Sequence, residues 1–318
     1  MCDCEVSPIR HLFILNPSAG KNGQAAQELM AQIESLPLNT AVRFTKKRGD
    51  AERIAREESA DGQPLRIYAC GGDGTLNDVV NAVAGLSHVA VTNVPVGTGN
   101  DFLKLFGPNA KERFRDLAAL AAGPEALLDV IDCNGRLGLD IVCAGVDARV
   151  AADVHRFKRL PLVRGMGAYV LSLLDNVLFR GINRPMRVET PEGLWYEGET
   201  AILCICNGRY YGGGFMPVPD AMPDDGVLDM LLVPKVDRFN FLRLVGAYGK
   251  GRYRRYPQYI QDYHGQSVTF SSSQDIVVVV DGEVLRAPSF TVSLSPKKLR
   301  FFFPEDLSYA PNSGTPAL

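Results

Sequence analysis

Short apolar runs alternate with helically spaced apolar positions through the first part of the chain. The run at 11–15 precedes a helical pattern over 26–36, and the run at 65–69 precedes another over 76–83. Short continuous apolar runs indicate buried strands, and apolar residues three and four apart indicate amphipathic helices. A repeated order of strand, turn and helix therefore predicts an α/β domain, with a parallel sheet covered by helices on both faces.

The pattern changes near residue 128, where shorter strand-like runs separated by glycine and proline turns take over. They cover residues 128–131, 139–142, 186–188, 201–206, 227–231 and 276–280. Such a series predicts an antiparallel β-sandwich, and 318 residues exceed the usual size of one core. We therefore predict two domains and a loose tail: 1–127 completed by a strand within 296–308, then 128–295, then 309–318. One amphipathic helix is expected over 165–181, most simply as a cover for the sandwich.

The most informative stretch is Gly71-Gly72-Asp73-Gly74-Thr75-Leu76-Asn77, between a predicted strand and a predicted helix. The glycines leave no side chain between the backbone and a ligand, and a helix N-terminus favours an anion. Asp73 would repel that anion unless a cation lay between them, so the stretch suggests phosphate with Mg²⁺. Neither G-x-G-x-x-G nor G-x-x-x-x-G-K-[ST] is present here. Two glycines alone would indicate only a tight connection.

Together with Asn16-Pro17-Ser18-Ala19-Gly20 and Gly97-Thr98-Gly99-Asn100-Asp101-Phe102, this stretch resembles the diacylglycerol kinase catalytic domain family. That family contains bacterial lipid kinases and sphingosine kinases, and NAD kinases are more distant relatives. The resemblance runs over most of the chain. It implies transfer of the γ-phosphoryl group of ATP, with Mg²⁺ as cofactor, to a lipid hydroxyl such as that of diacylglycerol.

The resemblance also implies roles for individual residues in the first domain. Asp101 and Asp129 are expected to join Asp73 in a carboxylate and water network around Mg²⁺. Lys46 and Lys47, in the same loop as the nucleotide-site threonine, are expected to be solvated. The implied nucleotide site comprises Asn16, Pro17, Ser18, Ala19, Gly20, Thr45, Gly71, Gly72, Asp73, Gly74, Thr75, Leu76, Asn77 and Thr98.

Two acidic loops of the second domain receive roles in the same way. Chemistry alone leaves the loop at 219–229 equally open to a divalent ion or a simple turn, whereas the resemblance implies a structural Mg²⁺ held by Asp225 and the carbonyls of Met222 and Val227. At the predicted hairpin turn 281–283, the resemblance implies that Glu283 is the general base and that Asp281 supports it. The sequence leaves open which of these two carboxylates accepts the proton.

The segment 139–148 also resembles the family, with two departures. Asp140 stands where an asparagine is usual, and Cys143 where a small residue is usual. These differences concern local substrate contacts, and the expected fold is unchanged. The seven cysteines form no C-x-x-C pair and are expected to be reduced thiols.

Composition narrows the classes of partner. The formal net charge of −2 gives no global reason to expect nucleic acid. No run of about 18 apolar residues occurs, and the N-terminus is acidic, so we expect a cytoplasmic protein acting peripherally at the inner membrane surface on a lipid substrate. Homodimer formation is kept as an option. The basic stretch Lys250-Gly251-Arg252-Tyr253-Arg254-Arg255 is either a solvated helix end or a contact for anionic headgroups.

Two other functions remain open. An NAD kinase shares the Gly-Gly-Asp-Gly element, but its asparagine-glutamate pair is replaced here by Asn100-Asp101. A non-catalytic nucleotide-binding sensor would have no need for the complete set of carboxylates. Radiolabelled ATP offered with a lipid extract and with NAD would separate the three.

Overall fold

The computed structural model describes residues 9–17, 24–97, 99–158 and 166–309. A 3-10 turn covers Phe102–Phe106, a π-helical turn covers Asn176–Arg180 and another 3-10 turn covers Tyr253–Arg255. The remaining elements, in chain order, are β1 (Arg10–Leu15), α1 (Gln24–Glu34), β2 (Thr40–Phe44), α2 (Asp50–Glu58), β3 (Leu65–Gly71), α3 (Asp73–Val83), β4 (Val89–Pro95), α4 (Ala110–Arg113), α5 (Leu117–Ala122), β5 (Glu125–Leu128), β6 (Ile131–Cys133), β7 (Arg136–Gly138), β8 (Ile141–Gly145), α6 (Val146–Lys158), α7 (Met166–Asp175), β9 (Arg184–Thr190), β10 (Gly193–Cys206), β11 (Leu228–Pro234), α8 (Arg238–Tyr248), β12 (Gln261–Gly265), β13 (Ser267–Val280), β14 (Glu283–Leu294) and β15 (Leu299–Phe302).

The chain folds into two compact units. The first comprises the described residues up to Val130 together with Pro296–Tyr309, and the second comprises Ile131–Ser295. The chain thus leaves the first unit once and returns to it near its end.

The first unit is built on a six-stranded sheet in the order β2-β1-β3-β4-β15-β5. Five strands are parallel, and only the edge strand β5 runs antiparallel, against β15. Every residue of β4 is buried, and so is nearly every residue of β1 and β3. Strands buried on both faces need continuous apolar sequence, which explains the unbroken runs of the first 100 residues. The predicted parallel α/β fold is confirmed.

Aromatic side chains fill the centre of this unit. The rings of Phe13 and Tyr68 stack with centroids 4.1 Å apart, and Phe302 meets Tyr68 edge-on at 5.0 Å. Phe301 packs edge-on against Phe102 at 5.2 Å. Because Phe301 and Phe302 lie on β15, the returning strand supplies a large part of the core of the first unit.

The second unit is antiparallel throughout, along the path β12-β11-β10-β8-β13-β14-β6-β7. Its longest strands, β10 and β13, have 14 residues each. One half of each pairs with β8 and the other half with β9, so the two long strands continue from one region of the sheet into the other. The predicted C-terminal antiparallel β domain is confirmed.

Two large buried clusters lie on this β structure. Leu203, Ile205, Phe270 and Val278 belong to one of them, made almost entirely from strand residues. The other joins the strands to the helices and includes Val177 of the π-helical turn and, from α8, Phe241, Leu244 and Tyr248. The helices of this unit therefore cover a strand surface, as expected for the amphipathic segment at 165–181.

Helix boundaries differ from the sequence pattern in two places. Within the segment 165–181, residues 166–180 form α7 and then a π-helical turn. The alanine-rich residues 110–122 form two short helices, the second capped by Asp116. The Asp116 carboxylate accepts the N–H of Ala119 and ends the preceding turn. Within the described ranges, no helix combines the length and the hydropathy that crossing a bilayer requires.

Candidate active site

The carboxyl ends of the parallel strands in the first unit bring several predicted residues to one sheet edge. Asn16 follows β1 and donates its N–H to the Cys70 carbonyl of β3 at 3.0 Å, while Thr45 follows β2 and donates to the Leu15 carbonyl at 2.9 Å. The strand order changes direction between β1 and β3. Ligands of open α/β sheets bind outside the carboxyl ends of strands at such a point.

A reciprocal pair of hydrogen bonds joins the glycine turn after β3 to the loop after β4. The N–H of Asp73 donates to the Gly99 carbonyl at 3.2 Å, and the N–H of Asp101 donates to the Asp73 carboxylate at 2.7 Å. Asn93 of β4 donates its side-chain amide to the Asn100 side chain at 3.3 Å, which holds the loop after β4 to its own strand. Asp73 and Asp101 are therefore held together by backbone geometry.

The glycines allow these two loops to approach so closely. A Cβ on Gly72 would lie 2.8 Å from the Gly99 carbonyl oxygen, and one on Gly99 would lie 2.9 Å from the Asp73 carboxylate. A Cβ on Gly71 would lie 2.2 Å from the Thr75 hydroxyl. At these three positions the glycine requirement is explained by contacts within the protein, without a ligand.

Gly74 is different, because a Cβ added there would meet no protein atom within 4 Å. It lies in the first turn of α3, an eleven-residue helix whose N-terminal dipole favours a negative group. The following residues Thr75, Leu76 and Asn77 are buried, Asn77 to 1% exposure. Their side chains therefore shape the turn, and the open side of Gly74 is where a phosphate has room.

Each of the other two network carboxylates has a lysine partner. Lys104 contacts Asp101 at 2.6 Å, and Lys298 forms an ion pair with Asp129, whose side chain is 2% exposed. A buried carboxylate needs such a partner, since an isolated charge is costly to remove from water. Lys104 is three residues from Asp101, whereas Lys298 reaches Asp129 only because β15 returns to the first unit. Sequence spacing signals the first lysine but not the second.

The donor chemistry of this site fits a hard cation. Asp73 and Asp101 offer carboxylate oxygens, which Mg²⁺ prefers. Over the described part of the chain, no group of three or more His, Cys, Asp and Glu side chains is arranged to hold a metal ion. Mg²⁺ at this position would therefore take further oxygens from water and phosphate, as is usual for Mg²⁺ in phosphoryl-transfer sites.

Several predicted nucleotide contacts lie outside the described residues: Ser18, Ala19, Gly20 and Thr98. Pro17 is exposed beside Asn16, at the end of β1. Thr45 is 9% exposed.

In the second unit, the turn between β13 and β14 is a tight hairpin at Asp281 and Gly282, with φ of 46° and 91°. The Asp281 carboxylate accepts the backbone N–H groups of Leu139 at 2.6 Å, Asp140 at 3.1 Å and Ile141 at 2.9 Å. The Asp281 N–H donates to the Ile141 carbonyl in return. Asp281 therefore fastens the hairpin to the segment before β8, a role that its position in the sequence does not reveal.

Glu283 begins β14 and is paired with Val280 across the hairpin. Its side chain is half-buried. Its neighbour Asp281 accepts backbone amides, and the Glu283 side chain is one methylene longer.

The acidic loop before β11 contains an Asx turn. The exposed Asp225 carboxylate accepts the N–H of Val227 at 3.0 Å, and Gly226 between them has φ of 76°. Arg209 lies against the start of the loop, donating to the Ala221 carbonyl at 2.8 Å and contacting the Met222 sulfur at 3.0 Å. One carboxylate with two backbone carbonyls is a donor set that suits Mg²⁺.

The basic stretch is only partly exposed charge. Arg254 forms an ion pair with Asp220 at 2.7 Å and lies over the Tyr253 ring. Lys250 and Arg252 are exposed. The positive charge available to an outside partner is therefore smaller than the sequence suggests.

A polar cluster in the second unit was not predicted. The Tyr211 hydroxyl lies 3.2 Å from the Asp147 carboxylate and 3.3 Å from the Tyr248 hydroxyl, and Cys143 lies nearby. Removal from water raises the pKa of Asp147 to about 7. The members of this polar cluster come from three separate segments of the chain, so the cluster is recognised only in the folded structure.

Comparison with known proteins agrees with the division of the chain into two units. The family model described as the diacylglycerol kinase catalytic domain matches residues 10–133, and the one described as the YegS C-terminal NAD kinase beta sandwich-like domain matches residues 140–303. The two matches together cover both units.

Relatives match along nearly the whole chain. A probable lipid kinase YegS-like protein of Pseudomonas aeruginosa is 31% identical over 297 residues, which cover 92% of this chain and 94% of the relative. A diacylglycerol kinase of Bacillus subtilis is 26% identical over 283 residues, covering 86% and 89%. A crystal structure of a diacylglycerol kinase from Bacillus anthracis superposes with a TM-score of 0.64 at 20% identity, over 92% of this chain and 96% of the other. At 20% identity, this structural similarity shows the fold alone.

Proposed function

Because this chain belongs to the diacylglycerol kinase-like family of lipid kinases, we propose that it transfers the γ-phosphoryl group of ATP to a hydroxyl group of a membrane lipid such as diacylglycerol. The reaction is proposed to use ATP with Mg²⁺ and to take place at a lipid surface. The observation that supports it most is the joined pair Asp73 and Asp101 at a turn with open space beside Gly74.

In this proposal, residues of the first unit bind the phosphates and Mg²⁺. Backbone N–H groups at the start of α3 bind phosphate oxygens, and the space at Gly74 lets the phosphate approach the backbone. Asp73 and Asp101 would hold Mg²⁺, and Asp129 with Lys298 would support the network around it. When bound, Mg²⁺ reduces the repulsion between the triphosphate and the attacking oxygen.

The second unit supplies the proton acceptor in this proposal. Glu283 takes the proton of the lipid hydroxyl as the oxygen attacks phosphorus. Asp281 positions it by fixing the hairpin to the backbone of residues 139–141. The proton thus moves to Glu283, and the γ-phosphoryl group moves from ATP to the lipid oxygen, with ADP as the leaving group.

The decisive experiment offers ATP radiolabelled at the γ-phosphorus, with Mg²⁺, to the purified full chain. Separate reactions contain diacylglycerol, phosphatidylglycerol, a sphingoid base, a total lipid extract and NAD. We expect label in an organic-soluble product. Label in NADP alone would identify an NAD kinase, and nucleotide binding with no labelled product would indicate a sensor.

A further inference from the structure

Two helical segments of the second unit present large apolar side chains to solvent. Phe179 is 81% exposed and Phe239 is 76% exposed. Eleven large hydrophobic side chains are exposed in the described chain, and seven of them lie on these segments. We call this set the α7–α8 face: Val170, Leu171, Leu174, Leu178, Phe179, Phe239 and Leu242.

The first segment, α7 with the π-helical turn, has a buried polar side and an exposed apolar side. The Ser172 hydroxyl donates to the Val150 carbonyl of α6 at 2.8 Å, and Asn176 is also fully buried. The exposed positions Val170, Leu174 and Leu178 are spaced by four along the opposite side. The inner side is therefore fixed by the protein, and the outer side is apolar without a described partner.

The second segment adds positive charge to apolar surface. Phe241 and Leu244 of α8 are buried, while Phe239 and Leu242 point outward beside the exposed Arg238 and Arg243. Neither arginine has an ion-pair partner among the described residues.

The adjacent Asp237 and the acids Asp153 of α6 and Asp175 of α7 make contacts within the protein. Asp237 caps α8 by accepting the N–H groups of Phe239 and Asn240, both at 3.0 Å. Asp153 and Asp175 pair with Arg180, each at 2.9 Å. The charge of α8 is therefore left for an outside partner.

The two segments are tied to each other at their ends. Asn183, four residues after Phe179, donates to the Val236 carbonyl at 2.9 Å and accepts the Val236 N–H at 3.1 Å. Val236 lies three residues before Phe239. The two most exposed aromatic side chains are thus close to one pair of hydrogen bonds.

We propose that the α7–α8 face docks onto an anionic lipid bilayer, with its apolar side chains inserted and Arg238 and Arg243 at the phosphates. Apolar side chains flanked by cations match the layers of a bilayer surface, where acyl chains lie beneath negative headgroups. A symmetric contact with a second copy fits less well, because it would bring the same arginines of both copies together. The proposal rests on the proposed function, since a lipid kinase must reach an acceptor held in a bilayer.

The test compares sedimentation of the full chain with vesicles of phosphatidylcholine alone and with vesicles that also contain phosphatidylglycerol. We expect Phe179→Glu with Phe239→Glu to weaken binding by about tenfold or more, since each ring loses its apolar burial. Leu194→Glu, on exposed strand surface of the same unit, and Phe44→Glu in the first unit are matched controls that should bind like wild type. Because all four side chains are well exposed, the melting temperatures should stay unchanged.

Charge variants separate this face from the basic stretch. Arg238→Gln with Arg243→Gln should weaken binding to the anionic vesicles by about fivefold per residue and leave neutral vesicles unaffected. Lys250→Gln with Arg252→Gln should have the smaller effect, because those charges are not flanked by inserted apolar side chains. A larger loss from the second pair would move docking to the basic stretch and overturn the proposal.

Activity measurements distinguish docking from catalysis. The double phenylalanine variant should lose turnover on vesicle-held diacylglycerol and keep it on a short-chain diacylglycerol dissolved as monomers. Equal loss on both substrates, no vesicle binding by wild type, or a change from dimer to monomer with unchanged vesicle binding would each refute the docking face. If no lipid is phosphorylated but the binding pattern holds, the proposed reaction fails and the docking face stands.

Discussion

Each unit contains a turn in which an aspartate carboxylate accepts backbone N–H groups from another segment. In the first unit, Asp73 accepts the N–H of Asp101 across a turn crowded with glycines. In the second unit, Asp281 accepts three successive N–H groups from residues 139–141. Both carboxylates thus fasten a turn to the backbone of another segment.

The surroundings of the two carboxylates indicate different roles. Three amides surround the Asp281 carboxylate, so its removal leaves three donors to be satisfied at once. Asp73 lies at a helix N-terminus beside the open space at Gly74, which is where a ligand can come close. We therefore assign Asp281 to the fold of its turn and Asp73 to the proposed chemistry.

The largest effect is expected from Asp73→Asn. The amide keeps an oxygen that can accept the Asp101 N–H, so the turn should remain folded while the negative charge that Mg²⁺ requires is lost. We expect turnover to fall by about 10³-fold or more, with little change in melting temperature. A variant with the wild-type phosphorylation rate would remove Asp73 from the proposed mechanism.

The hairpin of the second unit allows a direct comparison of two carboxylates. Glu283→Gln should lower kcat by about 10²-fold or more at an unchanged melting temperature, because it removes a proton acceptor used in the transition state. Asp281→Asn should lower stability as well, by about 3 kcal/mol, because an amide cannot accept the three N–H groups as a carboxylate does.

Thermal melts and single-turnover kinetics on both variants check this division. ATP affinity measured for Glu283→Gln serves as the control for an intact first unit. An active Glu283→Gln protein beside a stable, inactive Asp281→Asn protein would show that Asp281 is the base.

Substituting the glycines of the first turn should have a smaller effect on activity, and Gly74→Ala and Gly71→Ala form a matched pair. Gly74→Ala places a methyl group in space that is empty in the protein, so stability should hold while the KM for ATP rises about tenfold through contact with the phosphate. Gly71→Ala drives a Cβ toward the Thr75 hydroxyl and should lower the melting temperature instead. Wild-type KM in a stable Gly74→Ala protein would show that no phosphate approaches this position.

Much of the fold could be predicted from periodicity, because buried parallel strands require the unbroken apolar runs seen in β1, β3 and β4. Helix ends were harder. Asp50 looks like an N-cap, yet Gly49 caps α2 and the Asp50 carboxylate accepts the N–H groups of Lys46 and Lys47 upstream. A short polar side chain can satisfy either direction, and sequence does not say which.

The site was predictable where its parts are contiguous. Asp73 and Asp101 lie in glycine motifs that sequence can single out, and strand order then brings those motifs together. The partners of Asp129 and Asp281 were not predictable, since Lys298 and residues 139–141 are more than 130 positions away along the chain. The α7 part of the α7–α8 face was visible only as an amphipathic pattern, and the α8 part was not predicted from the sequence.

The smallest expected effect concerns the acidic loop of the second unit, where Asp225 is proposed to hold a structural Mg²⁺ with the carbonyls of Met222 and Val227. A ligand bound only by the folded state raises stability, so chelation should lower the wild-type melting temperature. Asp225→Ala should abolish that Mg²⁺-dependent shift, whereas the exposed neighbour Asp224→Ala should keep it.

The shift should also survive in Asp73→Asn, which separates this ion from one at the first turn. Asp225→Ala also loses the bond to the Val227 N–H, so the comparison must be the shift between chelator and Mg²⁺ within each variant. An equal shift in Asp225→Ala and wild type would leave the loop as an Asx turn without a metal.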